Sequence, residues 1–108
     1  MDIDDKIVEV LANCMYASAY WCRQIDYDHD KFPAGKYEYI EQKFLDILIQ
    51  GERLEFILDE PFEDDDKVRY SAPYSRFVEV VKKYDEDYIG DYSDDVLQEI
   101  LFGEVVFG

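Results

Sequence analysis

Apolar residues near the start of the chain recur at three- and four-residue steps. Ile7, Val8, Leu11, Cys14 and Met15 fall on one stripe, which predicts a helix from Ile3 to about Ala19. Asp2, Asp4 and Asp5 precede or fill its first turn, where carboxylates complement the helix dipole. From Tyr20 to Tyr27 the period changes to two: Trp21, Arg23, Ile25 and Tyr27 oppose Tyr20, Cys22 and Gln24, which predicts a strand. His29 to Lys36 holds Pro33 and Gly35 and reads as a loop. Helical spacing returns from Tyr37 to Gln50 through Ile40, Phe44, Leu45, Ile47 and Leu48, with Gly51 placed to stop the helix in a left-handed conformation.

Arg53 to Asp59 alternates, with Leu54, Phe56 and Leu58 on one face and Glu55 and Ile57 on the other. Residues 60–67 form a turn-rich acidic loop, and Val68 to Ser71 supplies the returning strand of a hairpin. Ser71 and Pro73 then mark a helix start, and Phe77, Val80, Val81 and Tyr84 carry that helix to about residue 86. Tyr88 to Tyr92 is expected as a connector around Gly90. A short helix from Ser93 carries Val96, Leu97, Ile100 and Leu101 and stops at Gly103. The apolar, β-branched tail Glu104–Gly108 is expected as a last strand tied into the sheet. The fold class that follows is α+β: a single domain of three to four helices on a small, mostly antiparallel sheet of three to four strands.

Composition changes the picture mainly through charge. Among 108 residues, 27 Asp and Glu face 11 Lys and Arg, a net charge of −16. Ten Tyr, seven Phe and one Trp supply a core, which separates the chain from disordered acidic sequences. A face with this balance repels nucleic acid, so direct binding to it is excluded. The charge is also uneven. Residues 84–108 hold eight acids and no base, half of the net total. Spread over a folded surface of about 6,300 Å², 27 carboxylates give one per about 230 Å². B-DNA carries one charge per about 110 Å² of its cylinder, so only clustering on one face would reach duplex density. Asp85, Glu86, Asp87, Asp91, Asp94 and Asp95 are clustered in this way, with Tyr84, Tyr88 and Tyr92 recurring every four residues among them. Glu63, Asp64, Asp65 and Asp66, with Asp59 and Glu60, form a second cluster that joins the first only if the hairpin tip lies alongside. Tyrosines beside carboxylates suit a surface lined by arginine.

Candidate chemistry is sparse. Cys14 and Cys22 stand eight apart, without a Cys-x-x-Cys pair and with one His in the chain, which excludes a zinc site. With no apolar leader at Met1, both thiols are expected reduced and buried in a cytoplasmic protein. Asp26, Asp28 and Asp30 fit the first ligand positions of a calcium loop. Lys31 stands where that loop needs Gly, and Tyr37 where it needs Glu. The run from Asp85 to Gly90 fails in the same way at Ile89 and Val96. His29 reads as a solvent-exposed side chain rather than a catalytic base. No nucleophile–base pair, phosphate loop or dinucleotide fingerprint is present, so neither a cofactor nor an enzymatic activity is expected. Tyr16, Tyr20, Trp21, Tyr27, Tyr37 and Tyr39 could form a binding belt but are expected as core and core edge.

Tyr20-Trp21-Cys22 after an N-terminal helix, and the closing Leu101-Phe-Gly-Glu-Val-Val-Phe-Gly108, resemble a group of small acidic proteins of phages and prophages from Gram-positive bacteria. The likeness runs through most of the chain in order, and the group carries no established activity. It implies a phage accessory setting in a bacterial cell. Joined to the charge, this yields the expectation of a non-enzymatic protein that docks on a basic, nucleic-acid-binding surface, in the manner of a nuclease inhibitor of the anti-CRISPR type. Two alternatives stand beside it. One is a phage structural or assembly protein that self-associates and is acidic for solubility; the other is a binder of a small ligand or divalent cation.

Overall fold

A computed structural model describes residues 1–13 and 20–107. In chain order the elements are α1 (Ile3–Asn13), β1 (Cys22–Asp26), α2 (Ile40–Ile49), β2 (Glu55–Leu58), β3 (Arg69–Tyr70), α3 (Tyr74–Val81), α4 (Glu86–Asp91) and α5 (Ser93–Phe102). The fold is α+β; among the described residues there are five helices and one three-stranded antiparallel sheet of order β1-β2-β3. Helix α1 is the hub and packs against α2, α3, α4 and α5. Its Ile7, Val10 and Leu11 meet Phe44, Ile47, Phe77, Val80, Val81, Ile89, Val96 and Leu97 in one continuous core. The predicted continuation of α1 through Cys14 to Ala19, and Tyr16 with it, lies outside the described residues. The accessible surface, 6292 Å², agrees with that expected for a folded chain of this size. Among the described residues, no helix is long and apolar enough to cross a membrane.

Local signals place most elements. Gly51 and Gly103 adopt left-handed φ angles of 76° and 84° just past α2 and α5, a conformation that costs a residue with a Cβ. In β2, Phe56 and Leu58 enter the core as the alternation predicts. Ile57 and Glu55 are buried as well. The central strand is roofed by the neighbours it pairs with, since Gln24 and Arg69 stand opposite Ile57, and Arg69 and Arg53 reach the Glu55 carboxylate. Long polar side chains thus cover an apolar residue with their stems.

Two elements differ from the sequence reading. The predicted connector at residues 88–92 is helix α4, and α3 ends at Val81 rather than near 86. The Asp85 carboxylate caps the new helix by accepting from the Tyr88 amide at 2.9 Å, and Glu86 and Asp87 fill its first turn. Gly90 lies close to α1: a Cβ at that position would sit 3.2 Å from Oε1 of Glu9, so that side chain would have to give way slightly. The second difference is the tail. Among the described residues, no strand pairs with residues 104–107. Instead the fully buried Gln98 side chain accepts from the amides of Val106 (2.8 Å) and Phe107 (2.7 Å) and donates to the Phe107 carbonyl (3.0 Å). Phe107 then stacks on Trp21 at 5.7 Å, beside Phe102, Phe62 and Tyr70.

Candidate functional site

Helix α4 and the residues on either side of it carry most of the carboxylates expected to meet a partner. Asp85, Glu86, Asp87 and Asp91 are exposed. Among the described residues, ion pairs in the C-terminal run are confined to Glu86 with the N-terminal amine (3.5 Å) and Glu99 with Lys83. The first of these is exposed and contributes little. It nevertheless shows where α1 begins: Met1 lies against Glu86, and Lys6 Nζ donates to the Tyr84 carbonyl at 2.6 Å. Asp2, which caps α1 by accepting from the Asp5 amide at 2.8 Å, and Asp5 in the first turn are exposed at this end of α1, so the start of α1 adds acids near α4 from more than 75 residues away in sequence. Lys6 and the terminal amine offset part of that charge.

Tyr84, Tyr88 and Tyr92 form a ladder. Tyr84 stacks on Tyr88 at 4.4 Å and 13°, and Tyr88 meets Tyr92 at 4.8 Å and 34°. Tyr88 is 36% and Tyr92 50% exposed, so two rings of the ladder stand in solvent beside the carboxylates. The inner ring is fixed. The Tyr84 hydroxyl donates to Glu99 of α5, which also accepts from Lys83. That hydrogen bond, then burial and the carboxylate charge, pushes the Tyr84 phenol up to about 12. At Glu99 burial acts upward, but the bonds from Lys83 and Tyr84 outweigh it and hold the carboxyl below its ordinary value. Tyr84 therefore stabilises the fold fully below its ordinary pKa of 10, and the contribution is lost as pH rises toward 12. Glu99 acts in the opposite limb: its contribution is present above 4.5 and lost as pH falls through its lower folded value. Substituting Glu99→Gln should bring the Tyr84 phenol back toward 10, read from the tyrosine carbon resonances during alkaline titration.

Asp94 has another occupation. Its Oδ1 accepts from the indole N–H of buried Trp21 at 2.6 Å and from Gln98 at 3.1 Å. It is a structural acceptor within the run, not a free charge. Asp94→Ala should cost about 2 kcal/mol by leaving the indole N–H unpaired, whereas Asp87→Ala should stay within about 0.5 kcal/mol in urea denaturation. Asp95 is half-buried and has no ion pair among the described residues.

The second cluster sits elsewhere. Phe62 of the hairpin loop packs on Phe102, the last residue of α5, and Glu63, Asp64, Asp65 and Asp66 are exposed around it. Burial, then the charges of Glu63 and Asp65, pushes the neighbouring Tyr70 phenol up. Helix α4 joins the other end of α5. The two ends are separated by nine residues of helix, about 14 Å, more than a Debye length at physiological salt. The clusters thus act as two acid patches at the ends of one helix.

No protein-family model, curated protein or solved structure matches the chain. The remaining candidates are accounted for locally. Among the described residues no group of three or more His, Cys, Asp or Glu could hold a metal ion. Asp28 caps its own turn by accepting from the amides of Asp30 and Lys31, and Asp26 lies near Arg69 and His29. Cys22 is a free thiol that burial pushes up; Cys14 lies outside the described residues. Of the proposed aromatic belt, Trp21 is core, Tyr27 and Tyr37 are half-buried, and Tyr20 and Tyr39 are exposed. Asp2 and Asp5 are the residues that sequence reasoning missed, because their acids read locally as helix-capping groups.

Proposed function

We propose that the chain acts by binding rather than by catalysis, and that the face around α4 docks on a basic protein surface that otherwise holds nucleic acid. The observation that carries this reading is the tyrosine ladder standing among exposed carboxylates of which, among the described residues, only Glu86 has an ion pair, an exposed one with the terminal amine. A surface that is acidic only for solubility has no use for two exposed phenols packed on one another. An arginine-lined groove does: guanidinium groups stack on the ring faces and bind the flanking carboxylates by charge-assisted hydrogen bonds. Tyr88 and Tyr92 supply rigid contact area of the kind that dominates interfaces. Glu86, Asp87, Asp91 and Asp95, with Asp2 and Asp5, supply the charge. The patch of Glu63, Asp64, Asp65 and Asp66 is a second contact for a groove long enough to reach along α5.

In this reading the protein is a nucleic-acid-mimicking inhibitor of a nuclease or another DNA-binding protein, of the kind a phage accessory gene would encode. The test is competition. Purified protein, titrated into complexes of fluorescent duplex DNA with a panel of basic DNA-binding nucleases, is expected to displace the DNA from at least one of them at low salt. The displacement should fade as salt rises, because the contact is ionic. Failure to displace DNA from any member of the panel at low salt, or displacement indifferent to salt, would overturn the proposal.

A further inference from the structure

A groove of about 390 Å³ opens between β1 and α2, within the size range of small-molecule sites. Its apolar lining includes Ile25, Ile40 and the core side chains Phe44, Phe56 and Leu97. Successive residues of β1, from Cys22 to Ile25, line it together, so it runs along the strand's margin. Among the described residues, β1 is an edge strand of the sheet and pairs with β2 alone. In a chain with 27 carboxylates, no Asp or Glu is among the described residues that line the groove. Its charged lining residue is Arg23, exposed and with no ion pair among the described residues; His29, also in the lining, lies against Tyr27 and 3.7 Å from the Asp26 carboxylate.

From these features we infer that the groove is a binding site for a small carboxylic acid with an apolar body. Two parts of the site fit the two parts of such a ligand. The hydrocarbon replaces water against Ile25 and Ile40, the half-buried apolar side chains of the lining, over a floor of core side chains. The carboxylate meets the Arg23 guanidinium, whose planar fork matches it bidentately. A cationic ligand would face Arg23 unfavourably, and an uncharged one would leave the guanidinium unused. The protein's net negative charge does not forbid an anion here. The α4 carboxylates act through solvent, where physiological salt screens them within about 8 Å. The inference is independent of the proposed role of α4, and a failure of one leaves the other standing.

Octanoate and 1-octanol, both below micelle or solubility limits, are the probes, followed by amide chemical shifts of the intact protein. Octanoate is expected to saturate one site, with shifts concentrated at Arg23–Ile25, Ile40 and Phe44, and to bind at least tenfold more tightly than octanol. Hydrophobicity alone would give the reverse order, because the alcohol loses less hydration. Arg23→Gln, at an exposed position, should abolish octanoate's advantage while leaving octanol binding as it was. Ile40→Trp should fill the groove and remove both. Octanol binding as tightly as octanoate, shifts that fail to saturate or map elsewhere, or an Arg23→Gln variant within twofold of wild type for octanoate would each overturn the site.

Discussion

Lysine in place of Glu86, Asp87, Asp91 and Asp95 is expected to weaken binding to a basic partner about a hundredfold and to leave the fold intact. Each exposed ion pair lost removes a few tenths of a kcal/mol, and each like-charge pair created costs about as much again. Four reversals therefore amount to about 3 kcal/mol, or two powers of ten in affinity. The choice of residues matters. Asp85 caps α4 and Asp94 holds the Trp21 indole, so both stay. The fold should survive because relief of acidic self-repulsion offsets the weakened interaction of Glu86 and Asp87 with the α4 dipole. Circular dichroism checks the fold, and the DNA-competition assay checks binding. A variant that competes as well as wild type would place the partner contact elsewhere.

Gln98→Leu is expected to cost about 2–3 kcal/mol and to release the C-terminal tail. The leucine matches the volume but accepts and donates nothing. The amides of Val106 and Phe107 and the Phe107 carbonyl would then be left unpaired beside the core. Each such group costs about 1–3 kcal/mol while it stays buried, so the tail leaves for water. What is lost at that point is the stacking of Phe107 on Trp21 and the apolar area it covers, which sets the upper limit of the effect. Trp21 is the only tryptophan, so its emission should move toward that of a hydrated indole as the tail detaches. Unchanged emission together with an unchanged urea midpoint would show that the tail is held by its rings alone.

The two short motifs on which the resemblance rests have a common physical use. Trp21 of the first and Phe102 and Phe107 of the second meet in one aromatic cluster that fastens the chain's end to the start of the sheet. Their spacing in sequence gives no hint of this, since the contact spans some 80 residues. The tail shows the same limit differently. Val105 and Val106 have strand chemistry, but among the described residues no strand pairs with them, and a glutamine eight residues before Val106 takes hydrogen bonds that a sheet would have taken.

Local spacing alone determined the α+β class, the hairpin, the glycine stops of α2 and α5, and the four-residue recurrence of tyrosines among acids. These depend on backbone geometry within a few residues, which sequence patterns encode directly. Helix α4 was legible in principle, because Asp85, Glu86 and Asp87 are a helix-start signature; Gly90 hid it by looking like a breaker. Only the tertiary structure decided what each carboxylate does. It turned Asp94 inward to an indole 73 residues away and tied Glu99 to Lys83 and Tyr84. It also brought the start of α1 against α4 and seated the hairpin loop that carries the second acid patch on the far end of α5. A carboxylate's character is set by whichever donors packing brings to it, and those donors come from distant parts of the chain.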